Sequence, residues 1–392
     1  MTTTTLKARR ILLVIVLSQF FCTTLWFAGN SVIEDMANEL TLQPQFLAHI
    51  TSVIQFGFIA GTLVYALLSL ADRFSPSLVF LISTILAAFF NVVIAWPTLP
   101  PAGILIFRFL TGFFLAGIYP VGMKIASDHF QKGLGKSLGF LVGALVLGTA
   151  FPHLLKGALT GMPWRYMFTF TSILALSGGL MLYTLVPDGP YRKPARQFRI
   201  KAIIEGFLHP EFRTAAFGYF GHMWELYTFW AFLPLIITTY STMHPVASLH
   251  VPLLSFLVIA SGGVACAYSG WLSQKRDIKS LAAFFLSLSG ACCLLSPLLL
   301  LVDYPAFFIV FLFTWGMSVV ADSPLFSTLV AQAAPETSRG TALTIVNCIG
   351  FSITIVSIQI IGLIMSWEPG IYIFTLLALG PLFSLLKLYR SR

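Results

Sequence analysis

Long apolar runs separated by short polar gaps dominate the chain. Twelve such runs contain few charged residues, and Pro, Gly or charged clusters mark most of the gaps between them. An α-helix needs about 20 apolar residues to cross a hydrocarbon core about 30 Å thick. The pattern therefore predicts twelve transmembrane helices, at residues 11–33, 46–70, 78–97, 103–126, 135–158, 166–186, 213–238, 250–273, 280–302, 305–328, 341–366 and 369–388.

The longest polar gap divides these predicted spans into two sets of six. It covers residues 187–212 and is rich in basic side chains. Two short matches between the sets, at offsets of 202 and 207 residues, indicate an internal repeat of the kind found in many transporters. We therefore predict an all-α membrane protein with two pseudo-symmetric six-helix bundles, at 1–186 and 213–392, joined by a connector at 187–212.

Composition supports a membrane protein over a soluble enzyme. The chain has 392 residues, of which 57% are hydrophobic and 9% charged, whereas soluble domains are about 25% charged. The first ten residues are basic and precede an apolar run, as in a signal peptide. Because Trp26, Asn30 and the pair Glu34-Asp35 follow instead of a small-residue cleavage site, we predict an uncleaved first span.

The net charge of +9 is explained by topology rather than by nucleic-acid binding. If the N-terminus is cytoplasmic, most of the basic residues fall in inner segments or adjoining helix ends, and only Lys156 and Arg165 lie outside. This bias obeys the positive-inside rule. It predicts a multi-pass protein of the cell inner membrane with both termini in the cytoplasm. The five cysteines lie in apolar segments without metal-type spacing and are expected to be buried.

The loop after the second span carries the first family-like motif. Its residues Leu70-Ala71-Asp72-Arg73 match the core of a loop motif of the major facilitator superfamily of secondary transporters, although the glycines and the later basic residues of that motif are replaced. The chain resembles this family over essentially its full length. The resemblance implies that Asp72 and Arg73 latch helix ends during gating. The alternative is an ordinary charged turn.

The fourth span adds a second resemblance. Arg108 and Gly112 match the family's R-x-x-x-G pattern, whose intramembrane arginine is tied to proton coupling. A guanidinium inside a span needs a polar cavity or a partner. The alternative is that Arg108, about five residues from the predicted outer end, extends its side chain to the surface.

The seventh span carries the clearest candidate chemistry. Glu225 lies about twelve residues into it, near the expected midplane, and His222 lies one turn earlier on the same face. A charged carboxylate at this depth costs about 3 kcal/mol on insertion scales and is readily neutralised by a proton. We therefore predict that Glu225 couples to protons. The alternative is a structural Glu–His pair that ties helices together.

The tenth span contains Asp322-Ser323-Pro324, where an acid precedes a helix-breaking proline. A broken helix beside an acid suits a site or a gate, and a packing role for Asp322 is equally compatible. Further polar and aromatic positions in the spans are candidates for contact with substrate, with interhelical packing as the alternative for each. These substrate-binding candidates are Trp26, Asn30, Tyr119, His222, Trp224, Tyr227 and Asn347.

Together these features predict a secondary active transporter that moves a small solute by alternating access. Glu225, Asp322 and Arg108 are the candidates for proton coupling. A transition-metal carrier using His222, Glu225 and Asp322 is the first alternative, and a membrane-embedded enzyme or lipid-handling protein is the second. We expect a monomer in the lipid bilayer, with a small-molecule substrate, protons as the coupled ion, no cofactor and no nucleic-acid partner.

Overall fold

A computed structural model describes residues 3–130, 134–192, 207–245, 249–334, 339–367 and 370–390. Within these ranges the structure is all α-helical, without strands, and each of the twelve predicted spans coincides with helical structure. The fold class predicted from the apolar pattern is thereby confirmed.

The described residues of the first half form ten helices. They are α1 (Thr3–Thr23), α2 (Ala28–Ser31), α3 (Ile33–Leu40), α4 (Phe46–Leu67), α5 (Leu70–Arg73), α6 (Pro76–Val93), α7 (Pro101–Leu115), α8 (Tyr119–His129), α9 (Leu134–Ala158) and α10 (Arg165–Leu185). The second half contributes α11 (Pro210–Met243), α12 (Val251–Leu272), α13 (Ile278–Leu301), α14 (Pro305–Ala321), α15 (Ser323–Ala333), α16 (Arg339–Trp367) and α17 (Leu379–Arg390). A 3₁₀ segment, Ile373–Ala378, leads into α17.

Nine helical stretches in the described ranges are long and apolar enough to cross a membrane, counting α7 with α8 and α14 with α15. The first, seventh and twelfth predicted spans correspond to α1, to α11 and to the 3₁₀ segment with α17. The N-terminal part of α11 reaches into the polar segment that precedes the predicted span.

Three of the predicted spans are interrupted rather than continuous. In the first, α1 ends at Thr23 and α2 begins only at Ala28. In the fourth and tenth, the break falls just before Pro120 and Pro324, which cannot donate the backbone hydrogen bond that would continue the helix. These two prolines are 204 residues apart, as are the prolines that begin α7 and α14. The interruption is therefore repeated at the same place in both halves.

Close helix packing is repeated as well. A Cβ added at Gly112 of α7 would lie 2.0 Å from the carbonyl oxygen of Ile54 in α4, and one added at Gly316 of α14 would lie 2.8 Å from that of Val258 in α12. Both pairs are again related by 204 residues. Only glycine permits this approach, and small residues at helix contacts are the usual means of packing helices in a bilayer.

The chain packs into two compact units, one formed by Met1–Leu42 with Val53–Phe198 and the other by Gln43–Ser52 with Arg199–Arg392. In the first unit, α1 packs on α9 and α10, and α6 packs on α7 and α10. In the second, α11 packs on α16 and α17, while α14 packs on α12 and α13. The long central helices α1 and α11 thus organise their own units.

Candidate functional site: two buried charge clusters

Glu225 of α11 is enclosed by hydrogen-bond donors from two other helices. Its side chain is fully buried. Oε1 accepts from Nε1 of Trp315 at 2.7 Å and from Sγ of Cys293 at 3.2 Å, while Oε2 accepts from Oγ of Ser289 at 2.9 Å. No Lys or Arg in the described ranges lies within ion-pair distance of this carboxylate. Neutral donors alone therefore hold the acid.

His222 does not pair with Glu225 but with Asp322, 100 residues further along the chain. Nδ1 of His222 lies 2.7 Å from Oδ1 of Asp322, and both side chains are buried. The contact lacks the angles of a linear hydrogen bond, and Nε2 of His222 and Oδ2 of Asp322 have no hydrogen-bond partner among the described residues. The pair is an ion pair when the imidazole is protonated, and it leaves polar atoms available to a ligand or water.

The break in the tenth span positions Asp322. It lies between the end of α14 at Ala321 and the start of α15 at Ser323, and its carbonyl oxygen accepts from the backbone N–H groups of Leu325 and Phe326. Its carboxylate is left free to reach His222. The sequence placed this acid next to a helix break, and the structure adds the histidine that it contacts.

Arg108 of α7 is fully buried and fixes the break in the first span. Nη1 donates to the carbonyl oxygen of Leu25 at 2.9 Å and to Oδ1 of Asn91 at 3.2 Å, and Nη2 donates to the carbonyl oxygen of Trp26. Both carbonyls belong to the interruption between α1 and α2. The side chain therefore points into its own unit instead of extending to the surface.

Asn91 of α6 completes this first cluster. Its Nδ2 donates to the carbonyl oxygen of Phe168 and to the hydroxyls of Thr171 and Ser172, at 3.0–3.1 Å. Its Oδ1 thereby faces Arg108. The network ties α6, α7 and α10 to the interrupted first span.

The remaining substrate-binding candidates are divided between the two units. Trp26 is buried with its ring 4.8 Å from that of Phe58, Asn30 is buried in α2, and Tyr119 is half-buried at the start of α8. Tyr227 is buried, with ring centroids 5.2 Å from those of Trp230 and Phe351. Asn347 is half-buried in α16.

Trp224 turns away from its neighbours His222 and Glu225. Its Nε1 donates to the carbonyl oxygen of Leu376 at 3.2 Å, and its ring lines a groove beside α17. Neighbours in sequence on a helix point in different directions, so this separation follows from the 3.6-residue period.

Comparisons with known proteins identify the family. The family model for the Major Facilitator Superfamily matches residues 15–358, most of the chain. The chain belongs to the major facilitator superfamily. The resemblance noted in the sequence is thus confirmed, and the chain is a multi-pass membrane protein and a secondary transporter of small molecules.

Solved transporter structures share its fold. A bacterial homologue of the human lysosomal transporter Spinster, in an inward-facing and unoccupied conformation, is 14% identical and aligns over 98% of this chain and 95% of its own, with a TM-score of 0.70. The superfamily's proton:xylose symporter XylE, bound to 6-bromo-6-deoxy-D-glucose, is 13% identical over 98% of this chain and 96% of its own, also at 0.70. A search of curated proteins finds no match.

The two residues of the superfamily loop motif, Asp72 and Arg73, differ in their contacts. Asp72 of α5 lies 3.0 Å from Nζ of Lys124 in α8, and Lys124 also contacts Asp128. Arg192 donates to the carbonyl oxygens of Asp72 and Phe74 at 3.1 Å and 2.6 Å. Arg73 is exposed and forms no ion pair with the residues that the structure describes. The latch role predicted for both remains a prediction, and Asp72 alone has contacts that support it.

Several residues of the two clusters were not recognised from the sequence. Ser289 and Trp315 are ordinary apolar-segment residues by pattern, and Cys293 was expected only as a small buried hydrophobe. Asn91 was the one with a signal, because an amide in the middle of an apolar run needs partners. Two further buried amides, Gln19 and Gln55, have no side-chain partner in the described ranges.

The metal-carrier alternative gains no support from the geometry. Within the described residues, no group of three or more His, Cys, Asp or Glu side chains is placed to hold a metal ion. His222 and Asp322 form a pair, while the carboxylate of Glu225 is directed to Ser289, Cys293 and Trp315.

Proposed function

We propose that this transporter is coupled to protons and that Glu225 binds the coupled proton. The observation that carries the proposal is a fully buried carboxyl group whose contacts in the described structure are neutral donors. Without a neighbouring cation, charge on Glu225 is compensated only by hydrogen bonds, which contribute about 1.5–3 kcal/mol each to a charged acceptor. A change in the surroundings of the site can therefore tip the balance between the charged and the protonated form.

The donors around Glu225 favour a proton on one of its two oxygens, Oε2. Trp315 can only donate, so Oε1 must remain an acceptor in both protonation states. Ser289 can donate or accept, and its hydroxyl also lies 3.2 Å from the carbonyl oxygen of Leu286. When Oε2 carries the proton, Ser289 accepts from it and donates to Leu286 instead. Both forms of the acid are then fully hydrogen-bonded.

The pair of His222 and Asp322 supports a linked role in coupling. His222 lies on the same helix as Glu225, and Asp322 lies at the break of the tenth span. A movement at that break alters the His222–Asp322 contact and the surroundings of α11 together. Proton occupancy that differs between two conformations is what coupling requires. In alternating access, the site would open to one side of the membrane at a time.

Arg108 enters the proposal as a positioning residue. Its guanidinium holds the carbonyls of Leu25 and Trp26, and so fixes the segment that leads to Asn30. Trp26 and Asn30 would contact the solute from this segment. XylE is a proton:xylose symporter by its description, but a likeness at 13% identity concerns the fold alone, so proton coupling here rests on Glu225.

The test is transport in proteoliposomes with a matched control. A thermal-shift screen of small solutes on purified protein first identifies a ligand, whose accumulation under an imposed pH gradient and exchange without a gradient are then measured. Glu225→Gln mimics the protonated form and keeps the shape of the side chain. We expect it to lose gradient-driven accumulation while exchange persists.

Glu39→Gln is the control, because it makes the same chemical change at an exposed position of α3. It should transport like the unaltered protein. Full gradient-driven accumulation by Glu225→Gln would contradict the assignment and direct attention to Asp322.

We further propose that the protein is a monomer of the cell inner membrane with both termini and the connector at 187–212 in the cytoplasm. The positive-inside bias supports this topology. Gln274→Cys and Thr98→Cys, both at exposed positions, should react with an impermeant thiol reagent from opposite sides. All five native cysteines are buried, so labelling would report the new thiols. Labelling of both from one side would contradict the twelve-span topology.

A further inference from the structure

A groove on the second unit is lined almost entirely by apolar side chains. It encloses about 270 Å³ between α11, α16 and α17. The residues that form its walls are Phe217, Phe220, Trp224, Ile353, Leu379 and Phe383. The indole N–H of Trp224 is already bonded to the carbonyl oxygen of Leu376. The groove therefore suits an apolar occupant and offers a polar solute few hydrogen bonds.

Two glycines form the floor of the groove. A Cβ added at Gly221 would lie 2.3 Å from the carbonyl oxygen of Gly380, and one at Gly380 would lie 2.4 Å from that of Gly221. The backbones of α11 and α17 are therefore in direct contact at this point, and the aromatic side chains of the two helices line the groove on either side. Leu379 and Phe383 are 55% and 44% exposed, so the groove opens to the outside of the unit.

Both helices place a cation at the same end of the groove. Lys387 follows Phe383 by one turn of α17, and its Nζ lies 5.5 Å and 5.6 Å from the ring centroids of Phe217 and Phe383. Arg213 precedes Phe217 by one turn of α11 and is exposed. Because Lys387 reaches the ring of Phe217, the two helices run in opposite directions here, and both cations lie at one mouth.

The stripe that links Arg213 to the groove follows helical geometry. Positions 213, 217, 220 and 224 are spaced by three or four residues and so share one face of α11. Glu211 lies two residues before Arg213 and therefore on a different face. An apolar groove with two cations at one end matches the chemistry of a lipid with an anionic head group.

We propose that this groove binds an anionic phospholipid, with one acyl chain along the aromatic walls and the phosphate between Arg213 and Lys387. Apolar packing holds the acyl chain in the groove. This packing is the same for all lipids, because their tails are equally apolar, and it therefore gives no preference among them. The two cations supply the preference for a negative head group. The mouth lies on the side that the positive-inside rule assigns to the cytoplasm. The inference does not depend on proton coupling or on the identity of the solute.

The experiment uses Trp224 as the reporter. Full-length protein in detergent is mixed with phosphatidylglycerol or phosphatidylcholine carrying brominated acyl chains, and tryptophan quenching is measured. The difference between the unaltered protein and Trp224→Phe isolates the quenching at the groove. We expect half-maximal quenching of Trp224 at a several-fold lower fraction of phosphatidylglycerol than of phosphatidylcholine.

The double variant Arg213→Gln/Lys387→Gln should lose this preference while its thermal midpoint without lipid is unchanged. Arg276→Gln, an exposed cation away from the groove, should keep it. Native mass spectrometry provides a second measurement, in which the unaltered protein retains one more phosphatidylglycerol than the double variant. Equal quenching by both lipids, or a preference that survives in the double variant, would overturn the proposal. Displacement of phosphatidylglycerol by millimolar inorganic phosphate would overturn the lipid assignment as well.

Discussion

The two units each bury a charged side chain at a polar cluster, but they satisfy it in different ways. Arg108 in the first unit donates to two backbone carbonyls and to Asn91. Among the described residues, Glu225 in the second unit accepts from side chains alone, those of Ser289, Cys293 and Trp315. The first unit thus buries a cation held mainly by backbone carbonyls, and the second buries an acid held by side chains.

Under the proposed mechanism, this difference separates a structural charge, on Arg108, from a switchable one, on Glu225. A guanidinium remains charged in proteins, and a backbone carbonyl can only accept, so the Arg108 cluster has one arrangement. The hydroxyl of Ser289 can reverse its role, so the Glu225 cluster has two. The proposed proton coupling needs both properties, because a rigid frame must surround a group that changes its protonation state.

The largest expected effect contrasts the two charges directly. Arg108→Leu leaves two buried carbonyls and the amide oxygen of Asn91 without their donor, at about 1–3 kcal/mol for each unpaired group. We expect a loss of about 4 kcal/mol in the free energy of unfolding. Glu225→Gln keeps the shape and acceptor of its side chain and should cost about 1 kcal/mol. Denaturant unfolding in detergent micelles measures both.

Arg108→Lys refines this comparison. A lysine keeps the positive charge but lacks the planar fork that reaches two carbonyls together. Arg108→Lys should therefore lose less free energy of unfolding than Arg108→Leu and more than Glu225→Gln. If Arg108→Leu cost no more than Glu225→Gln, the distinction between a structural and a switchable charge would be wrong.

The next effect tests the two oxygens of Glu225. Ser289→Ala removes the partner that adapts to protonation and should shift the pH profile of gradient-driven transport. Cys293→Ala removes a donor to Oε1, which is an acceptor in both states, and should shift that profile less. Each should cost about 1 kcal/mol of stability, as a lost hydrogen bond does. Identical pH profiles for the two variants would argue against a proton on Oε2.

A smaller effect is expected at the loop motif of the first unit. Asp72→Asn removes the ion pair with Lys124 and should slow transport, while the substrate affinity, corrected for the population shift, stays nearly intact. Arg73→Gln is the matched comparison, because the side chain of Arg73 is exposed and its loss should slow transport less than Asp72→Asn does. Transport rates and equilibrium binding on the same preparations would decide. Complete loss of binding in Asp72→Asn would be incompatible with a latch.

The smallest effect is expected for an exposed ion pair outside the spans. Glu39 of α3 accepts from Arg165 at 2.5 Å and from Trp164 at 2.7 Å. The hydrogen bond from Arg165 holds the pKa of Glu39 below its usual value. Its stabilisation is thus present at neutral pH and is lost as pH falls through the folded-state pKa, below about 4.3.

Solvent screening limits this contribution to less than about 1 kcal/mol. Thermal midpoints of the unaltered protein and of Glu39→Gln should therefore differ by little at pH 7 and converge in acid. A large difference at pH 7 would mean that exposed charges rival the buried clusters, which would remove the contrast drawn above.

Much of the candidate site is recognisable in the amino-acid sequence, because a bilayer makes polar residues conspicuous. Glu225, Asp322 and Arg108 stand out since a charged group in an apolar run is costly without a partner. Their partners do not stand out in the same way. Trp224 shares a sequence segment with His222 and Glu225, yet the turn of the helix directs it to the apolar groove beside α17. Cys293 reads as apolar, because its thiol matters only beside the carboxylate of Glu225.

The amino-acid sequence by itself determined the all-helical membrane fold and the family, and it predicted twelve spans and an internal repeat. The physical reason is that each span must satisfy its own backbone hydrogen bonds and present about 20 apolar residues to the lipid, so these properties are local. Only the tertiary structure decided which charges are paired. His222 meets Asp322 and Arg108 meets Leu25 across 100 and 83 residues, respectively. Such contacts depend on how helices pack and where they break, which no local pattern specifies.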